Sequence, residues 1–176
     1  MVLIGLGSNR GDSGSIVREA GAYLARYAQA DFRSSSLWRT NPVDCPPGSG
    51  DFINAAVAFE PRRIFSPERL LRELKTLEAL AGRLPNTRRN APRLLDLDLL
   101  VFGQQRRQSA NLKLPHPRAA ERRFVLAPAA EIVPHLRWPG LGLSVAQLLA
   151  NLTDSDQATR LSDSADWRLR PFLRKN

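Results

Sequence analysis

The sequence contains only one cysteine and no long apolar run, and these two features limit the classes of protein to which it can belong. The one cysteine, Cys45, excludes an internal disulfide and fits a reducing cytosol. The apolar runs are too short to span a bilayer, so no membrane association is expected. The first residues, MVLIGLGSNRGD, show no basic segment followed by a long apolar run, so we expect no signal peptide and a cytoplasmic location.

Lysine is also scarce, because only three of the 26 cationic residues are lysine and the rest are arginine. The formal net charge is +9. Guanidinium binds phosphate through paired hydrogen bonds, so an arginine-rich surface favours phosphate-bearing ligands. Genomic base composition explains the number of arginines equally well, but it does not explain their clustering. The two clusters are Arg88, Arg89 and Arg93, and Arg118, Arg122 and Arg123.

Length and composition indicate one folded domain followed by a polar tail. The chain has 176 residues, of which 43% are hydrophobic, and this suits a globular domain rather than a disordered chain. Its last stretch is polar and basic with scattered apolar residues. We therefore predict a domain over residues 1–152 and an appended C-terminal tail over residues 153–176.

Hydrophobic periodicity predicts an α+β fold. The predicted elements, in chain order, are a strand at 2–6, a helix from Ser13, strands at 34–39 and 52–59, a helix from Ser66 and a strand at 94–102. Ser66, Pro67 and Glu68 are typical of a helix start. The βαββαβ order is that of a ferredoxin-like core, in which helices pack on an antiparallel sheet. Two additional C-terminal helices are predicted around 122–132 and 144–151.

Two aspartates, Asp96 and Asp98, interrupt the apolar run RLLDLDLLVFG. Side chains alternate along a strand, so both carboxylates are expected on one face, with their Cα atoms about 6.5–7 Å apart. Such a pair suits Mg²⁺, which binds one or two carboxylates together with water and substrate phosphates. The alternative is an exposed polar strand face paired with nearby arginines. Neighbouring guanidiniums favour the metal, because transfer of a polyphosphate group depends mainly on positioning and charge neutralisation.

The predicted strand FINAAVAF presents a second candidate surface. Phe52 and Asn54 share one face of it. An aromatic ring beside an amide suits a flat heterocycle, since the ring stacks and the amide reads donor and acceptor edges. The alternative is that Phe52 belongs to the core and that Asn54 caps a loop.

These residues lie within a longer series of segments that resembles a known enzyme family. The segments are LGSNRGD, WRTNP with DFINAAVAFE, LEALAGR, PRLLDLDLLVFG and LPHPRAAERRFVLAPAAEIVPHL. Their order and spacing, over about residues 2–150, are similar to those of the 6-hydroxymethyl-7,8-dihydropterin pyrophosphokinases of folate biosynthesis. That family has a ferredoxin-like fold, in agreement with the predicted order of elements.

The resemblance implies that pyrophosphate passes from ATP to the hydroxymethyl group of the pterin and that AMP leaves. It also implies two Mg²⁺ ions, held by Asp96 and Asp98. The residues that match catalytic positions contacting ATP phosphates are Arg83, Arg93, His116 and Arg122, and those that match positions near the nucleotide are Glu78 and Leu99. The pterin would lie between Phe52 and Phe124, with its edge read by Asn54 and by the backbone near Thr40, Pro42 and Val43. For His116, simple packing between two prolines is the alternative.

The chain departs from the family pattern in two loops. Asn90 stands where a tryptophan usually helps to close a loop over the site, and Pro85 and Asn86 replace basic residues of the same loop. Val43 and Asp44 stand where a glycine is usual, and Cys45-Pro46-Pro47 follows. These changes favour an active enzyme with altered loop dynamics. The alternative is a paralogue that binds pterin and ATP but turns over slowly.

A nucleic-acid-binding module is the alternative from a different functional class. RNA-recognition sheets share the βαββαβ order, and the net positive charge would suit them. However, the expected aromatic pair on the central strands is absent, and two aspartates on one sheet face would repel a phosphate backbone. We therefore expect small-molecule partners, pterin and ATP, and no nucleic acid, and the sequence does not indicate any protein partner.

Overall fold

The computed structural model describes residues 1–42, 46, 48–83, 92–153 and 157–161. Within these ranges it contains eight strands and four α-helices, with short 3-10 turns at Ala25–Tyr27 and Ala119–Glu121. In chain order the elements are β1 (Val2–Ser8), α1 (Ser13–Leu24), β2 (Ala28–Ser34), β3 (Trp38–Thr40), β4 (Phe52–Pro61), α2 (Pro67–Leu80), β5 (Asp96–Phe102), β6 (Arg107–Gln108), β7 (Lys113–Leu114), α3 (Arg123–Ile132), α4 (Val145–Ala150) and β8 (Ala158–Arg160). None of the described helices is long and apolar enough to cross a membrane.

Six strands form one antiparallel sheet in the order β5-β1-β4-β3-β8, with β2 also paired to β4. β1 lies between β4 and β5 and is antiparallel to both. β3 pairs with the first residues of β4, and β2 pairs with its last residues, so the two shorter strands follow one another along β4. β6 and β7 form a separate hairpin. The fold thus combines helices with an antiparallel sheet.

The predicted strand at 34–39 is wrong in its bounds, because the chain forms two strands, β2 and β3, separated by a break. At the break the side chain of Ser35 takes the place of a backbone acceptor. Its Oγ accepts a hydrogen bond from the N–H of Ala56 at 2.9 Å. Three consecutive residues of β2, at 29–31, are exposed, so this strand lacks the alternation that would have predicted it. The helix start at Ser66 is confirmed, because its side chain caps α2 by accepting the N–H of Arg69.

β8 falls within the segment that the sequence assigned to an appended tail. Its three residues pair with β3, from Trp38 opposite Arg160 to Thr40 opposite Ala158. These residues are therefore part of the sheet and cover the edge of β3. The remainder of the predicted tail beyond Leu161 lies outside the described residues.

The two faces of the sheet bury separate cores, which gives a three-layer arrangement. Alternate residues of β1, Val2, Ile4 and Leu6, pack toward α1 and α2, whereas Leu3 packs toward α3 and α4. On β5, Leu97 and Leu99 belong to the core under α1 and α2. The opposite face is covered by α3 and α4 only in part, so its remaining positions on β1, β4 and β5 are left for a cleft.

The carboxylate of Glu131 connects α3 to β3 and β8. Glu131 of α3 accepts hydrogen bonds from the N–H and Oγ of Ser36, at 3.1 and 2.7 Å, and from Nε1 of Trp38 at 3.0 Å. It also pairs with Arg160 of β8 at 3.0 Å. Burial disfavours its charge, but the hydrogen bonds from Ser36 and Trp38 outweigh this effect and lower the pKa of Glu131.

Replacing Glu131 with glutamine should lower the free energy of unfolding at pH 7 by about 1–3 kcal/mol, because donors then lose their charged acceptor. A carboxyl whose pKa is lowered by folding contributes stability above its unfolded-state pKa and loses it as the pH falls through the folded-state pKa. The difference between wild type and variant should therefore shrink in acid. Urea titrations at neutral and acid pH measure this difference in the free energy of unfolding. The substitution of the exposed Glu121 by glutamine is the control. An equal difference at both pH values would contradict this account.

Candidate active site

Three neighbouring strands place a polar row on the sheet face that the helices leave uncovered. In the strand register, Gly7 of β1 lies opposite Asn54 of β4 on one side and Asp96 of β5 on the other. Gly5 lies opposite Asp98. The two glycines leave the middle strand without side chains on this face, and this makes room for a ligand between the flanking strands.

The uncovered face forms the floor of a cleft that is open to solvent and encloses about 730 Å³ when its solvent-open part is included. The residues that line it are Gly5, Leu6, Gly7, Thr40, Asn41, Phe52, Asn54, Ala55, Arg93, Asp96, Asp98, Leu100, Arg122, Phe124 and Val125. The two aspartates therefore share the cleft with Phe52 and Phe124, a combination that only the family resemblance had implied.

Asp96 is already neutralised by two guanidiniums. Its Oδ1 lies 2.8 Å from NH1 of Arg83, and its Oδ2 lies 3.2 Å from NH1 of Arg93. Arg83 does not itself line the cleft but reaches Asp96 from the end of α2. Both arginines, which the resemblance assigns to the ATP phosphates, thus lie against Asp96.

Asp98 has a different electrostatic environment. Burial, and secondarily the negative charge of Asp96, raise the pKa of the Asp98 carboxyl, while the charges of Lys75, His116 and Arg93 act in the opposite direction. Two carboxylates two residues apart on a strand repel each other unless a cation lies between them. The pair is therefore suited to a divalent cation.

Glu78 is a buried carboxylate beneath the acidic pair and is only 1% exposed. Its Oε1 accepts the N–H of Leu97 at 2.7 Å and lies 2.9 Å from both Nζ of Lys75 and NH1 of Arg83. Burial raises the pKa of Glu78, and the charge of Lys75 partly opposes this shift. Glu78 therefore joins α2 to β5 and holds Arg83 next to Asp96.

Asn9 is a site residue that the sequence analysis missed. Its Oδ1 accepts the N–H of Arg93 at 2.8 Å, and its own N–H donates to the carbonyl of Arg93 at 3.2 Å. These two hydrogen bonds fix the backbone of Arg93 beside the acidic pair. The available signal was an asparagine directly after a buried strand, a position at which polar groups commonly serve a site.

His116 follows β7 and lies against the edge of β5, where its backbone N–H donates to the carbonyl of Leu100 at 2.8 Å. Burial lowers the pKa of His116, while the nearby carboxylate of Asp98 opposes this effect. Its Nδ1 is buried and has no hydrogen-bond partner among the residues that the structure describes. His116 lines a neighbouring groove with Arg106 and Trp138 rather than the cleft itself.

The other half of the cleft is aromatic and amide-bearing. Asn54 is 6% exposed and donates from Nδ2 to Oγ1 of Thr40 at 2.7 Å. Phe52 and Phe124 line the same cleft, and the guanidinium of Arg122 lies 5.3 Å from the centre of the Phe124 ring. An aromatic pair beside a fixed amide can hold a flat heterocycle and read its edge.

Several predicted residues do not line this cleft. The side chain of Leu99 is 4% exposed and lies in the core under α1 and α2, so it does not face the cleft. Pro42 is described but is not among the lining residues. The predictions for Val43, and for the departures at 44, 45, 47, 85, 86 and 90, fall outside the described residues, as do Arg88 and Arg89.

The carboxylates fit a divalent ion that shares its ligands with a substrate. Among the described residues there is no group of three or more His, Cys, Asp or Glu side chains that could enclose a metal. Asp96 and Asp98 alone face the cleft together, and this suits Mg²⁺, which keeps several waters and binds through one or two carboxylates plus phosphate oxygens. The buried Nε of Arg93, which has no hydrogen-bond partner within the described part of the chain, is a further donor at this position.

The chain is similar to proteins of a known family. Residues 3–134 match the 7,8-dihydro-6-hydroxymethylpterin-pyrophosphokinase (HPPK) family. The chain is 36% identical over 147 residues to a 2-amino-4-hydroxy-6-hydroxymethyldihydropteridine pyrophosphokinase of Synechocystis, covering 84% of this chain and 73% of that protein. It is 39% identical over 130 residues to the protein of the same name from Bacillus subtilis, covering 73% of this chain and 75% of that protein.

Longer proteins also match over part of their length. The chain is 38% identical to a folate synthesis bifunctional protein of Arabidopsis thaliana but covers only 27% of it. Among solved structures, the wild-type Plasmodium falciparum HPPK-DHPS with SDX-DHP aligns with a TM-score of 0.67 at 13% identity, covering 85% of this chain and 43% of that one. The structural match supports the fold alone, and this chain spans less than half of that protein.

Proposed function

This chain belongs to the 7,8-dihydro-6-hydroxymethylpterin-pyrophosphokinase family, which transfers pyrophosphate from ATP to hydroxymethyldihydropterin in folate synthesis, and we propose that its cleft performs this transfer. The observation that carries the proposal is that one cleft contains both Asp96 and Asp98 and the Phe52–Asn54–Phe124 group. The acidic pair with its guanidiniums suits a polyphosphate, and the aromatic group suits the pterin.

We assign the pterin to the aromatic half of the cleft. The ring would stack between Phe52 and Phe124, and Asn54, held by Thr40, would read its edge. The backbone at Pro42 and Val43 stays a prediction, as does a nucleotide contact from Glu78 or Leu99. Stacking fixes the plane of the ring and the amide fixes its rotation within that plane, so together they orient the hydroxymethyl group toward Asp96 and Asp98.

We assign the ATP polyphosphate to the acidic half. Two Mg²⁺ ions, when held by Asp96 and Asp98, supply positive charge to the phosphate oxygens. Arg93 and Arg122 line the cleft and would bind the phosphates, with Arg83 reaching in from α2 and His116 beside them. The hydroxymethyl oxygen attacks the β-phosphorus and gives up its proton to water, the bond from the β-phosphorus to the oxygen that bridges it to the α-phosphorus breaks, and AMP leaves with that oxygen. These side chains would position the reactants and neutralise charge, and this type of transfer needs little more from the protein.

Some features of the whole chain remain proposals. The strand order β5-β1-β4 followed by β3 and β2 supports a ferredoxin-like core, with α3 and α4 as additional C-terminal helices. Composition supports a domain over 1–152 with a tail over 153–176, a boundary that leaves β8 as the part of the tail that pairs with the sheet. A cytoplasmic location and the absence of nucleic-acid partners are also proposed from composition. The altered loop residues, Pro85, Asn86 and Asn90, support changed loop dynamics or a slow paralogue.

An assay for AMP tests the proposal. The protein should convert ATP to AMP with Mg²⁺ only when 6-hydroxymethyl-7,8-dihydropterin is also present. The matched control is 6-methyl-7,8-dihydropterin, which can occupy the aromatic half but lacks the attacking hydroxyl, and it should give no AMP. No AMP with the hydroxymethyl substrate, together with tight binding of an oligonucleotide, would overturn the proposal in favour of the nucleic-acid alternative.

A further inference from the structure

Asp96, one of the two proposed metal ligands, is already paired with a cation of the chain's own. NH1 of Arg83 lies 2.8 Å from Oδ1 of Asp96 and 2.9 Å from Oε1 of Glu78, so one nitrogen bridges two carboxylates. A Mg²⁺ ion binds a carboxylate oxygen at about 2.0–2.1 Å. An ion bound to Oδ1 would therefore lie close to a full positive charge, and the two would repel each other.

We propose that Arg83 is a displaceable counter-ion, which neutralises Asp96 in the nucleotide-free protein and moves from Asp96 to the polyphosphate when a divalent cation binds. This inference rests on the proposed function, since it assumes that the cleft binds a metal with ATP. It assigns Arg83 a role before the reaction, in addition to phosphate binding. It also explains why metal binding would be favoured by ATP, because the nucleotide offers the released guanidinium a new anion.

Glu78 keeps Arg83 next to the acidic pair during this exchange. Its Oε1 is fixed by the N–H of Leu97 at 2.7 Å and by Nζ of Lys75 at 2.9 Å, so it stays in place when Arg83 leaves Asp96. A guanidinium has five N–H donors, so Arg83 can keep one bond to Glu78 while its other nitrogens turn toward a phosphate. Glu78 is thus a positioning residue that prevents the loss of Arg83 to solvent.

Arg93, the second partner of Asp96, is the more enclosed of the two arginines. Its side chain is 19% exposed, against 36% for Arg83, and its backbone is hydrogen-bonded to Asn9 in both directions. Arg83 is the more exposed arginine, and its second carboxylate contact, to Glu78 at 2.9 Å, can keep it beside the site after it leaves Asp96. We therefore assign the exchange to Arg83.

The experiment measures the binding of Mn²⁺ alone to the nucleotide-free protein, by electron paramagnetic resonance of the free ion. Arg83→Gln should bind Mn²⁺ roughly 5-fold or more tightly than wild type, because the competing charge is gone. Arg122→Gln removes an equal charge from the same cleft but leaves Arg83 on Asp96, so it should raise the affinity much less. Circular dichroism establishes that each variant is folded.

The outcomes separate the inference from the proposed function. If Arg83 serves only to bind phosphate, Arg83→Gln weakens ATP binding and leaves the affinity for Mn²⁺ alone unchanged, and the inference is overturned. Equal gains in Arg83→Gln and Arg122→Gln, or no Mn²⁺ binding by Arg83→Gln, overturn it as well. The wild-type protein would still form AMP in those cases, whereas failure of the proposed function would abolish AMP formation in the wild type itself.

Discussion

Replacing Asp98 with asparagine should remove most of the activity and leave the protein at least as stable as before. The kcat for AMP formation should fall by roughly 10²- to 10³-fold or more, because a neutral amide is a much weaker ligand for a divalent cation than a carboxylate. Burial and the charge of Asp96 raise the pKa of Asp98, so the ionised side chain is disfavoured in the metal-free fold. The amide removes this unfavourable charge.

The effect on stability should depend on pH with a definite sign. A carboxyl whose pKa is raised by folding costs stability above its unfolded-state pKa, and this cost disappears as the pH falls below that value. Without metal, the melting temperature of Asp98→Asn should therefore equal or exceed that of wild type at neutral pH and approach it in acid. Thermal unfolding at both pH values, beside a discontinuous AMP assay, provides the measurement.

Asp96→Asn is the matched comparison for this prediction. It should also lose most activity, but it removes the acceptor of Arg83 and Arg93, so it should lower stability by roughly 1 kcal/mol in this partly exposed site. The two variants are thus expected to be alike in activity and opposite in stability. If Asp98→Asn kept most of its kcat, the assignment of a metal to this pair would be wrong.

The parts of the fold that could be predicted are those in which local signals and burial agree. The start of α2 follows from Ser66 and Pro67, and the strands β4 and β5 follow from their runs of apolar residues. β2 could not be predicted, because its exposed residues at 29–31 carry no alternation and its pairing depends on the distant β4. β8 is likewise defined by its pairing with β3 rather than by its own composition.

The site shows the same division between local and distant information. The placement of Asp96 and Asp98 on one face follows from strand periodicity, and so does the placement of Phe52 with Asn54. The side chain of Leu99 faces the core for the same reason, although its predicted place near the nucleotide came from similarity alone.

Contacts between residues far apart in the sequence could not be predicted. Asn9 and Arg93 are 84 positions apart, and no local pattern in the sequence predicts the two hydrogen bonds between them. The bridging of Glu78 and Asp96 by Arg83 also depends on how α2 packs against β5. The sequence identified charged groups of the right kind, and the packing determines which of them already neutralise one another.

If the pterin binds in the aromatic half of the cleft as proposed, Asn54 reads its edge, so Asn54→Ala should lower kcat/KM for the pterin by about 10- to 100-fold. The loss should come mainly from a higher KM for the pterin, with the KM for ATP little changed, because Asn54 lies with Phe52 rather than with the arginines. The side chain is 6% exposed and its Nδ2 is fixed by Thr40 at 2.7 Å, so the amide is oriented before the substrate binds. Initial rates with each substrate varied in turn give both constants.

A pair of glycine substitutions tests the same contact without removing the amide. A Cβ at Gly7 would lie 3.0 Å from Oδ1 of Asn54, whereas the nearest atoms to a Cβ at Gly5, on the same strand and face, belong to the side chain of Leu100 and begin at 3.5 Å. Gly7→Ala should therefore displace the amide and raise the KM for the pterin in the same direction as Asn54→Ala, and Gly5→Ala should raise it much less. Equal effects of the two glycine variants, or a rise in the KM for ATP alone, would place the pterin elsewhere.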